Sequence, residues 1–355
     1  MAGGSAADFE LGLLQGFAFA CRSGCALCCY ASPAVTPAER ARLVQIQPEL
    51  PVGPEEDGFA LLPTRPNGGA CVLLRGDRCT AHAARPFPCR TYPLHAHVGH
   101  RLQVTLVLAC PGLDLGALAT WAAPGAARAG PRGFESELGA LAEEGARAPL
   151  LAWMRDASDE ERRLLRRIAH HAGPEDPEEV RARLRRTPGG PDPTQQLCLP
   201  PPGEDAPLEE LPVLFHGQYG RVALRSTDVE TYELLGLHEN GTPPERLAEI
   251  PLPEELPRLD PEGTALLGGY QRYLVDRDHL LWSTYLEMSS GRPGALSDEL
   301  AANLTEATTE VLRRASVLAR FGGADGDRLG AEELLAGIRA VDSELLDRPT
   351  LGRIL

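Results

Sequence analysis

The sequence contains no lysine, so all 35 of its basic residues are arginines. Any mechanism that needs a lysine amine, such as a Schiff base with a carbonyl substrate, is therefore excluded. Acidic residues outnumber the arginines, and the formal net charge is −15 at pH 7. Because this charge repels a phosphate backbone, we expect no nucleic-acid partner.

Long apolar runs and a basic export signal are also missing. The short apolar stretch Leu11–Ala20 follows Glu10 and no arginine, whereas positive charge precedes the apolar stretch of a secretory signal. No run approaches the ~20 apolar residues that span a bilayer. We therefore expect a cytoplasmic protein with no membrane partner, in which the cysteines stay reduced.

A chain of 355 residues is long for one core, so two domains are the starting expectation. The patterns predict an α+β fold, in which a small loop-rich cysteine-cluster domain with short strands is followed by a mainly helical remainder. The predicted parts are residues 1–120 for the cysteine cluster, 121–186 for a helical segment, 187–211 for a proline-rich linker and 212–355 for a mainly helical C-terminal domain.

Local patterns refine this outline. Thr36-Pro37 followed by Glu39 is typical of a helix start and predicts a helix over Val35–Gln47. The other predicted elements are strands at Phe59–Leu62, Cys71–Leu74, Cys79–His82 and Leu102–Ala109, a hairpin from Val213–Phe215 and Arg221–Leu224, and helices at Leu266–Met288 and Ser297–Phe321.

The predicted helix Leu266–Met288 carries an aromatic stripe, Tyr270, Tyr273, Trp282 and Tyr285. A stripe at helical spacing favours plain core over a ligand pocket. Arg277 falls on this stripe, which predicts a buried and paired charge. The helical C-terminal region is the part for which we expect a protein partner; the sequence does not identify a small-molecule ligand.

Cysteines are concentrated in the first third of this sequence. Of nine cysteines, Cys198 stands alone in the predicted linker and is interpreted as a stray surface thiol. The other eight, all before residue 111, are Cys21, Cys25, Cys28, Cys29, Cys71, Cys79, Cys89 and Cys110. The two- and three-residue spacings of the first four let their sulfurs converge on one ion or cluster.

Neither core packing nor disulfide bonding accounts well for this crowding of cysteines. Packing explains single buried cysteines but not this cluster, and a disulfide framework does not suit a reducing compartment. In an extended segment Cys28 and Cys29 point to opposite faces, so they can serve two neighbouring centres, or one of them can pack. Eight thiols allow two four-cysteine sites, or one site with spare thiols.

Zinc and an iron–sulfur cluster both accept ligation by thiolates alone. Eight cysteines favour iron–sulfur, with a 4Fe–4S cluster as the expected type, and zinc as the alternative. Either centre is anionic, and nearby arginines offset its charge; they are Arg22, Arg75, Arg78, Arg85 and Arg90. A thiol redox or metal-delivery protein is a further hypothesis, in which an exposed cysteine of Cys25–Cys29 has a low pKa.

The cysteines and their neighbours resemble a known family, the zinc- or iron-chelating cysteine-cluster domain of bacteria and archaea. The resemblance covers roughly residues 17–115. The motifs that carry it are Cys21-x3-Cys25-x2-Cys28-Cys29, Cys71…Cys79, Arg85-Pro86-x2-Cys89-Arg90-x-Tyr92-Pro93 and Cys110-Pro111-Gly112. It implies that the eight cysteines are the metal ligands and that Arg85 and Arg90 support the bound group.

The spacing is more loosely similar to the flagellin lysine-N-methylases, which implies an alternative function. In that case the chain is an iron–sulfur-associated, S-adenosylmethionine-dependent protein N-methyltransferase. Cys21-x3-Cys25-x2-Cys28 also matches the radical S-adenosylmethionine signature. Enzymes with that signature normally use a barrel of repeated strand–helix units, and this alternation is missing from the sequence after residue 30. His95, His97 and His100 can supply imidazole ligands, yet a polar hairpin tip around Val98-Gly99 is the favoured interpretation.

Overall fold

A computed structural model of the chain shows the fold and confirms the predicted α+β class. The residues that it describes are 9–30, 32–51, 53, 55–56, 59–76, 78–98, 102–121, 129–143, 163–164, 166, 175–186, 207–208, 211–227, 231–290, 294–347 and 353–354. Cys198, His100 and most of the predicted linker lie outside this range.

Helices dominate the second half of the described chain. They are α1 (Pro37–Ile46), α2 (Phe87–Thr91), α3 (Glu135–Leu141), α4 (Pro177–Arg186), α5 (Pro261–Asp276), α6 (Asp278–Ser290), α7 (Leu296–Phe321) and α8 (Ala331–Asp347). Short 3-10 turns lie at Gly12–Leu14, Leu27–Tyr30, His82–Ala84 and Leu115–Thr120.

Strands in the first part are short. They are β1 (Phe9–Glu10), β2 (Ala18–Phe19), β3 (Ala34–Val35), β4 (Glu55–Glu56), β5 (Phe59–Leu61), β6 (Leu74–Arg75), β7 (Arg78–Cys79), β8 (Leu94–Val98), β9 (Leu102–Leu106) and β10 (Leu113–Asp114). The later strands are β11 (Val213–His216), β12 (Gly220–Ser226), β13 (Thr231–Gly236), β14 (Glu245–Pro251), β15 (Arg258–Leu259), β16 (Arg328–Leu329) and β17 (Arg353–Ile354).

The predicted helix near residue 36 is confirmed, and its start is a complete capping box. The Thr36 hydroxyl accepts from the Glu39 N–H, and the Glu39 carboxylate accepts from the Thr36 N–H. Each bond satisfies an amide that the first turn leaves unpaired. Glu39 is itself buried and also accepts from the N–H of Phe87 at 2.7 Å, so this helix start is tied to α2.

The mainly helical C-terminal part also contains strands beyond the hairpin predicted near residue 220. Strands β11–β14 form a four-stranded antiparallel sheet in chain order. Tyr232 and Leu234 pack towards Val317 of α7, and Leu235 packs on the other face with Leu211. Because β13 is buried on both faces, it lacks the alternation that marks a half-exposed strand.

The predicted helix Leu266–Met288 is two helices. Arg277 has an extended backbone that ends α5, and α6 begins at the next residue. The aromatic stripe lies in the core as predicted: the side chains of Tyr270, Tyr273, Trp282 and Tyr285 are fully buried.

One hydrophobic core joins the two halves of the chain. It contains Phe17, Leu106 and Cys110 from the first part together with residues of α5–α8, such as Tyr273 and Ile338. The cysteine segment therefore packs directly on the C-terminal helices. In the part of the chain that the structure describes, every helix is too short or too polar to cross a membrane.

Candidate metal centre

All eight clustered cysteines line one cavity of about 700 Å³. None of these eight cysteines forms a disulfide, and their exposure ranges from the exposed Cys21 to the buried Cys25, Cys71 and Cys110. The predicted ligand residues, which lie on five separate segments, are thus brought together by the fold.

Strands β2 and β10 bring the segment of Cys21 next to the segment of Cys110. Phe19 pairs with Leu113, and the Ala20 N–H donates to the Gly112 carbonyl at 2.9 Å just before Cys21. A Cβ on Gly112 would stand 2.6 Å from the Ala20 carbonyl oxygen. Glycine after Cys110-Pro111 is therefore required for this close approach of the two segments.

The loop that carries Cys25 is held from the C-terminal sheet. Arg221 of β12 donates to the Cys25 carbonyl from Nε at 3.1 Å and from Nη2 at 2.9 Å, and to the Gly24 carbonyl at 3.4 Å. Its guanidinium lies 5.1 Å from the ring centroid of Tyr30. The loop contains Ala26 at φ 46°, a left-handed conformation that is costly for alanine. Arg221 therefore stabilises a strained ligand loop.

Cys28 and Cys29 lie in a 3-10 turn, Leu27–Tyr30, and not in an extended segment. Their side chains do not point to opposite faces, because successive residues of such a turn are about 120° apart. The Cys29 thiol donates a hydrogen bond to the Cys28 sulfur and lowers the pKa of Cys28 to about 7. The same bond raises the pKa of Cys29 above that of a free thiol.

Cys71 and Cys79 flank a small hairpin, as predicted, although its paired strands are shorter than expected. Strands β6 and β7 pair Leu74 with Cys79, and Cys71 precedes β6. The Cys71 N–H donates to the Cys29 carbonyl at 2.6 Å. Arg65 supports this loop through bonds to the carbonyls of Cys71 at 3.2 Å and Leu74 at 2.7 Å.

Burial has a large effect on the thiols of Cys89 and Cys110. Burial raises the pKa of Cys89, on α2, to about 12, and nearby Cys28 and Cys71 add to the effect. Burial also raises the pKa of Cys110 to about 11, although the Tyr92 hydroxyl donates a hydrogen bond to its sulfur. Both thiols are protonated at neutral pH until a metal displaces their protons.

Four of the eight sulfurs accept a backbone N–H from the residue two positions later. The amide of Leu27 donates to Cys25 Sγ at 3.5 Å. Equivalent bonds are made by Leu73 to Cys71, by Ala81 to Cys79 and by Gly112 to Cys110. An amide that donates to sulfur favours the thiolate and tunes a bound cluster.

Three of the five predicted arginines line the cavity, namely Arg22, Arg78 and Arg85. The charge of Arg85 acts on four thiols, those of Cys21, Cys28, Cys79 and Cys89. Its Nε is buried with no hydrogen-bond partner among the described residues.

The two other arginines point elsewhere. Arg90 forms an ion pair with Glu143 and does not contribute to the cavity wall. Arg75 donates to the backbone carbonyls of Val72 and Leu74.

Sequence reasoning missed three charged groups near the thiols. Glu137 of α3 lines the cavity, and its charge acts on Cys21. Arg221 and Arg339 are the other two. Arg339 of α8 donates to the Leu113 carbonyl at 3.2 Å, and its charge is felt by Cys110 and Cys25. No local pattern marks them, because they reach the site from segments far away in sequence.

Of the three histidines near residue 97, His95 and His97 do not line the cavity, and His100 lies outside the described residues. His97 is buried, and its ring lies 6.0 Å from that of His279 and 5.9 Å from that of Trp282. The predicted polar tip is therefore wrong for His97, since strand β8 continues through it and turns it into the core.

Across the described residues, no three Cys, His, Asp or Glu side chains are grouped as the ligands of a single metal ion. The thiols are distributed along the cavity wall and do not converge on one point. Thiol ligands must lose their protons before they can close on a metal.

The comparisons with known proteins agree with the cysteine pattern. No curated protein and no solved structure matches the chain, so the likeness to the flagellin lysine-N-methylases rests on cysteine spacing alone. About a quarter of the chain, including all eight cavity cysteines, matches one family model. That segment, residues 20–111, matches the CxxCxxCC family, described as a "Putative zinc- or iron-chelating domain".

Proposed function

We propose that the cavity holds an iron–sulfur centre and that the chain is a cytoplasmic iron–sulfur protein. The observation that carries the proposal is the enclosure of one cavity of about 700 Å³ by eight free thiols. Free thiols in this number suit a reducing compartment.

The size of the cavity favours a cluster over a single zinc ion. A zinc ion with Zn–S bonds of about 2.3 Å draws four sulfurs to within about 4 Å of one another. The eight thiols here lie around a space that one ion does not fill. A cluster also contains inorganic sulfide, which occupies such a space while the cysteine sulfurs stay apart.

The charges around the cavity favour an anionic group. Thiolates that bind iron or zinc leave a net negative charge, and three arginines, Arg22, Arg78 and Arg85, line the same wall against one carboxylate, that of Glu137. The positive charge of Arg85 acts on four of the cavity thiols. These contacts support metal binding; methyl transfer has no supporting observation among the described residues, so the proposal does not extend to it.

The test is a set of cysteine variants purified without oxygen. The unaltered chain is expected to be brown, with broad absorption near 400 nm that bleaches on reduction by dithionite. Cys28→Ser removes the sulfur whose charge reaches the other thiols most widely and is expected to lose at least half of this absorption. Cys198→Ser is the matched control, because this ninth cysteine lies outside the matched domain, and it keeps the full absorption.

A colourless chain that carries zinc in the unaltered form would overturn the iron–sulfur proposal and leave metal chelation standing. Equal loss of absorption in Cys28→Ser and Cys198→Ser would show that the cavity thiols are not the specific ligands.

A further inference from the structure

We propose that the eight thiols form two separate four-thiolate centres that meet at the Cys28–Cys29 peptide. The first set is Cys21, Cys25, Cys28 and Cys110, and the second set is Cys29, Cys71, Cys79 and Cys89. This proposal rests on the proposed ligand role of the thiols, but it is independent of whether the metal is iron or zinc.

Backbone pairing defines the first set. The β2–β10 ladder places Cys21 next to the segment of Cys110, with the Ala20 N–H bonded to Gly112 at 2.9 Å. Cys25 and Cys28 follow Cys21 on the loop that Arg221 fixes. Cys110 belongs to the large core shared with the C-terminal helices.

Different contacts define the second set. Cys71 is bonded through its N–H to the Cys29 carbonyl at 2.6 Å, and the β6–β7 hairpin returns the chain to Cys79. Cys71 belongs to a small hydrophobic cluster against which Cys29 and Cys79 pack. This cluster is separate from the large core that holds Cys110.

Cys89 is assigned by a backbone contact and by its electrostatic neighbours. The Phe87 N–H, two residues before Cys89, donates to Glu39 of α1 at 2.7 Å, and Leu43 of α1 belongs to the small cluster that contains Cys71. The thiol charges that act on Cys89 come from Cys28, Cys71 and Cys79. Those that act on Cys110 come instead from Cys25 and Cys28. Cys28 influences members of both sets, as expected for a residue at the boundary.

The amide-to-sulfur bonds are divided equally between the two sets. Leu27 and Gly112 donate to Cys25 and Cys110 of the first set. Leu73 and Ala81 donate to Cys71 and Cys79 of the second set. Each centre thus has two sulfurs supported by the same local turn, in which the amide lies two residues after the cysteine.

The arginines that do not line the cavity also divide between the two sets of thiols. Arg221 and Arg339 act on Cys25 of the first set, and both come from the C-terminal half of the chain. Arg65 acts on Cys71 of the second set. Arg65 also donates to the Glu239 carbonyl at 3.1 Å, so both sets are tied to the C-terminal half of the chain, but through different arginines.

Two double variants of the full-length chain test the division. Cys21→Ser/Cys110→Ser removes two ligands of the first set, and Cys71→Ser/Cys79→Ser removes two of the second. Each is expected to lose about half of the bound metal while keeping the other half, because a four-thiolate centre does not survive with two ligands. Loss of all metal in either folded variant, checked by circular dichroism, would show one shared centre. Full retention in either would remove that set from the ligands.

Titration of the metal-free, unaltered chain with Co²⁺ gives a readout that does not depend on folding of the variants. Thiolate-to-cobalt absorption is expected to saturate at about two equivalents per chain, since each centre takes one ion. Saturation at about one equivalent would overturn the division and leave metal binding intact. The absence of any thiolate band would contradict the ligand role itself and so the proposed function.

Discussion

Arg277 and Asp342 form a buried ion pair directly behind the segment that leads to Cys110. Arg277 Nη1 lies 2.5 Å from Asp342 Oδ1, and the side chains are 2 % and 0 % exposed. Arg277 also donates to the Leu106 carbonyl at 2.7 Å, and Asp342 accepts from the Leu108 N–H at 2.6 Å. The pair therefore ties the end of β9 to α8 and to the junction of α5 and α6.

Removal of Arg277 alone is expected to destabilise the whole fold. Arg277→Met leaves a buried carboxylate without its partner, which costs about 3–5 kcal/mol in the free energy of unfolding. Chemical denaturation followed by circular dichroism measures this loss. Arg320→Met is the matched control, because its partner Asp327 is 75 % exposed and such pairs contribute at most about 1 kcal/mol. Equal losses in the two variants would contradict the role given to the buried pair.

Arg221 is expected to control how fast metal leaves the loop of Cys25. Arg221→Met removes three hydrogen bonds to the carbonyls of Gly24 and Cys25. A loss of about 1.5 kcal/mol in the bound state corresponds to roughly tenfold faster transfer of metal to a chelator. Arg225→Met is the control, since Arg225 lies on the same strand but pairs with Glu233. Identical release rates for the two variants would remove Arg221 from the support of the site.

Arg85 is expected to raise the reduction potential of the bound centre. Arg85→Gln removes a positive charge that acts on four of the thiols. Since reduction adds negative charge, the potential measured by a redox titration should become more negative.

Arg90→Gln is the matched change for Arg85, because Arg90 pairs with Glu143 outside the cavity wall. The reduction potential of the Arg90→Gln variant should equal that of the unaltered chain. A shift as large as that of Arg85→Gln would instead favour the expectation from sequence that both arginines support the bound group.

The stability of the chain is expected to fall in acid partly through His95. Burial lowers the pKa of His95 to about 3, and His97 and Arg277 add to the effect. The folded pKa lies below the unfolded value of about 6.5, so this contribution is complete above pH 6.5. It is lost as the pH falls from 6.5 towards 3, by at most about 1.4 kcal/mol per pH unit.

His95→Gln, which cannot titrate, should lose less stability than the unaltered chain between pH 6.5 and pH 5 in denaturant unfolding. Parallel losses in both proteins would show that His95 is free to ionise in the folded chain.

The grouping of the first four cavity cysteines could be predicted from sequence because short loops fix the distances between them. Cys21, Cys25, Cys28 and Cys29 are so close along the chain that any fold keeps them together. The capping box at Thr36 and the buried charge of Arg277 were predictable for similar reasons, since each depends on a local pattern or on one helical face.

The surroundings of the cavity could not be predicted in the same way. Arg221 and Arg339 reach the thiols only after β12 and α8 have packed on the cysteine segment. Strand β13 was not predicted, because both of its faces are buried and its sequence therefore lacks the alternation of a half-exposed strand. Tertiary packing over long sequence separations decides all three features, and a single sequence carries no local signal of it.

The most direct test of the account is the content of iron, acid-labile sulfide and zinc in the full-length chain purified without oxygen. The account predicts iron and sulfide in comparable amounts, with zinc nearly absent. Zinc without sulfide would contradict the iron–sulfur centre, and a metal-free chain whose eight cavity thiols all react with a thiol reagent under native conditions would contradict metal binding as a whole.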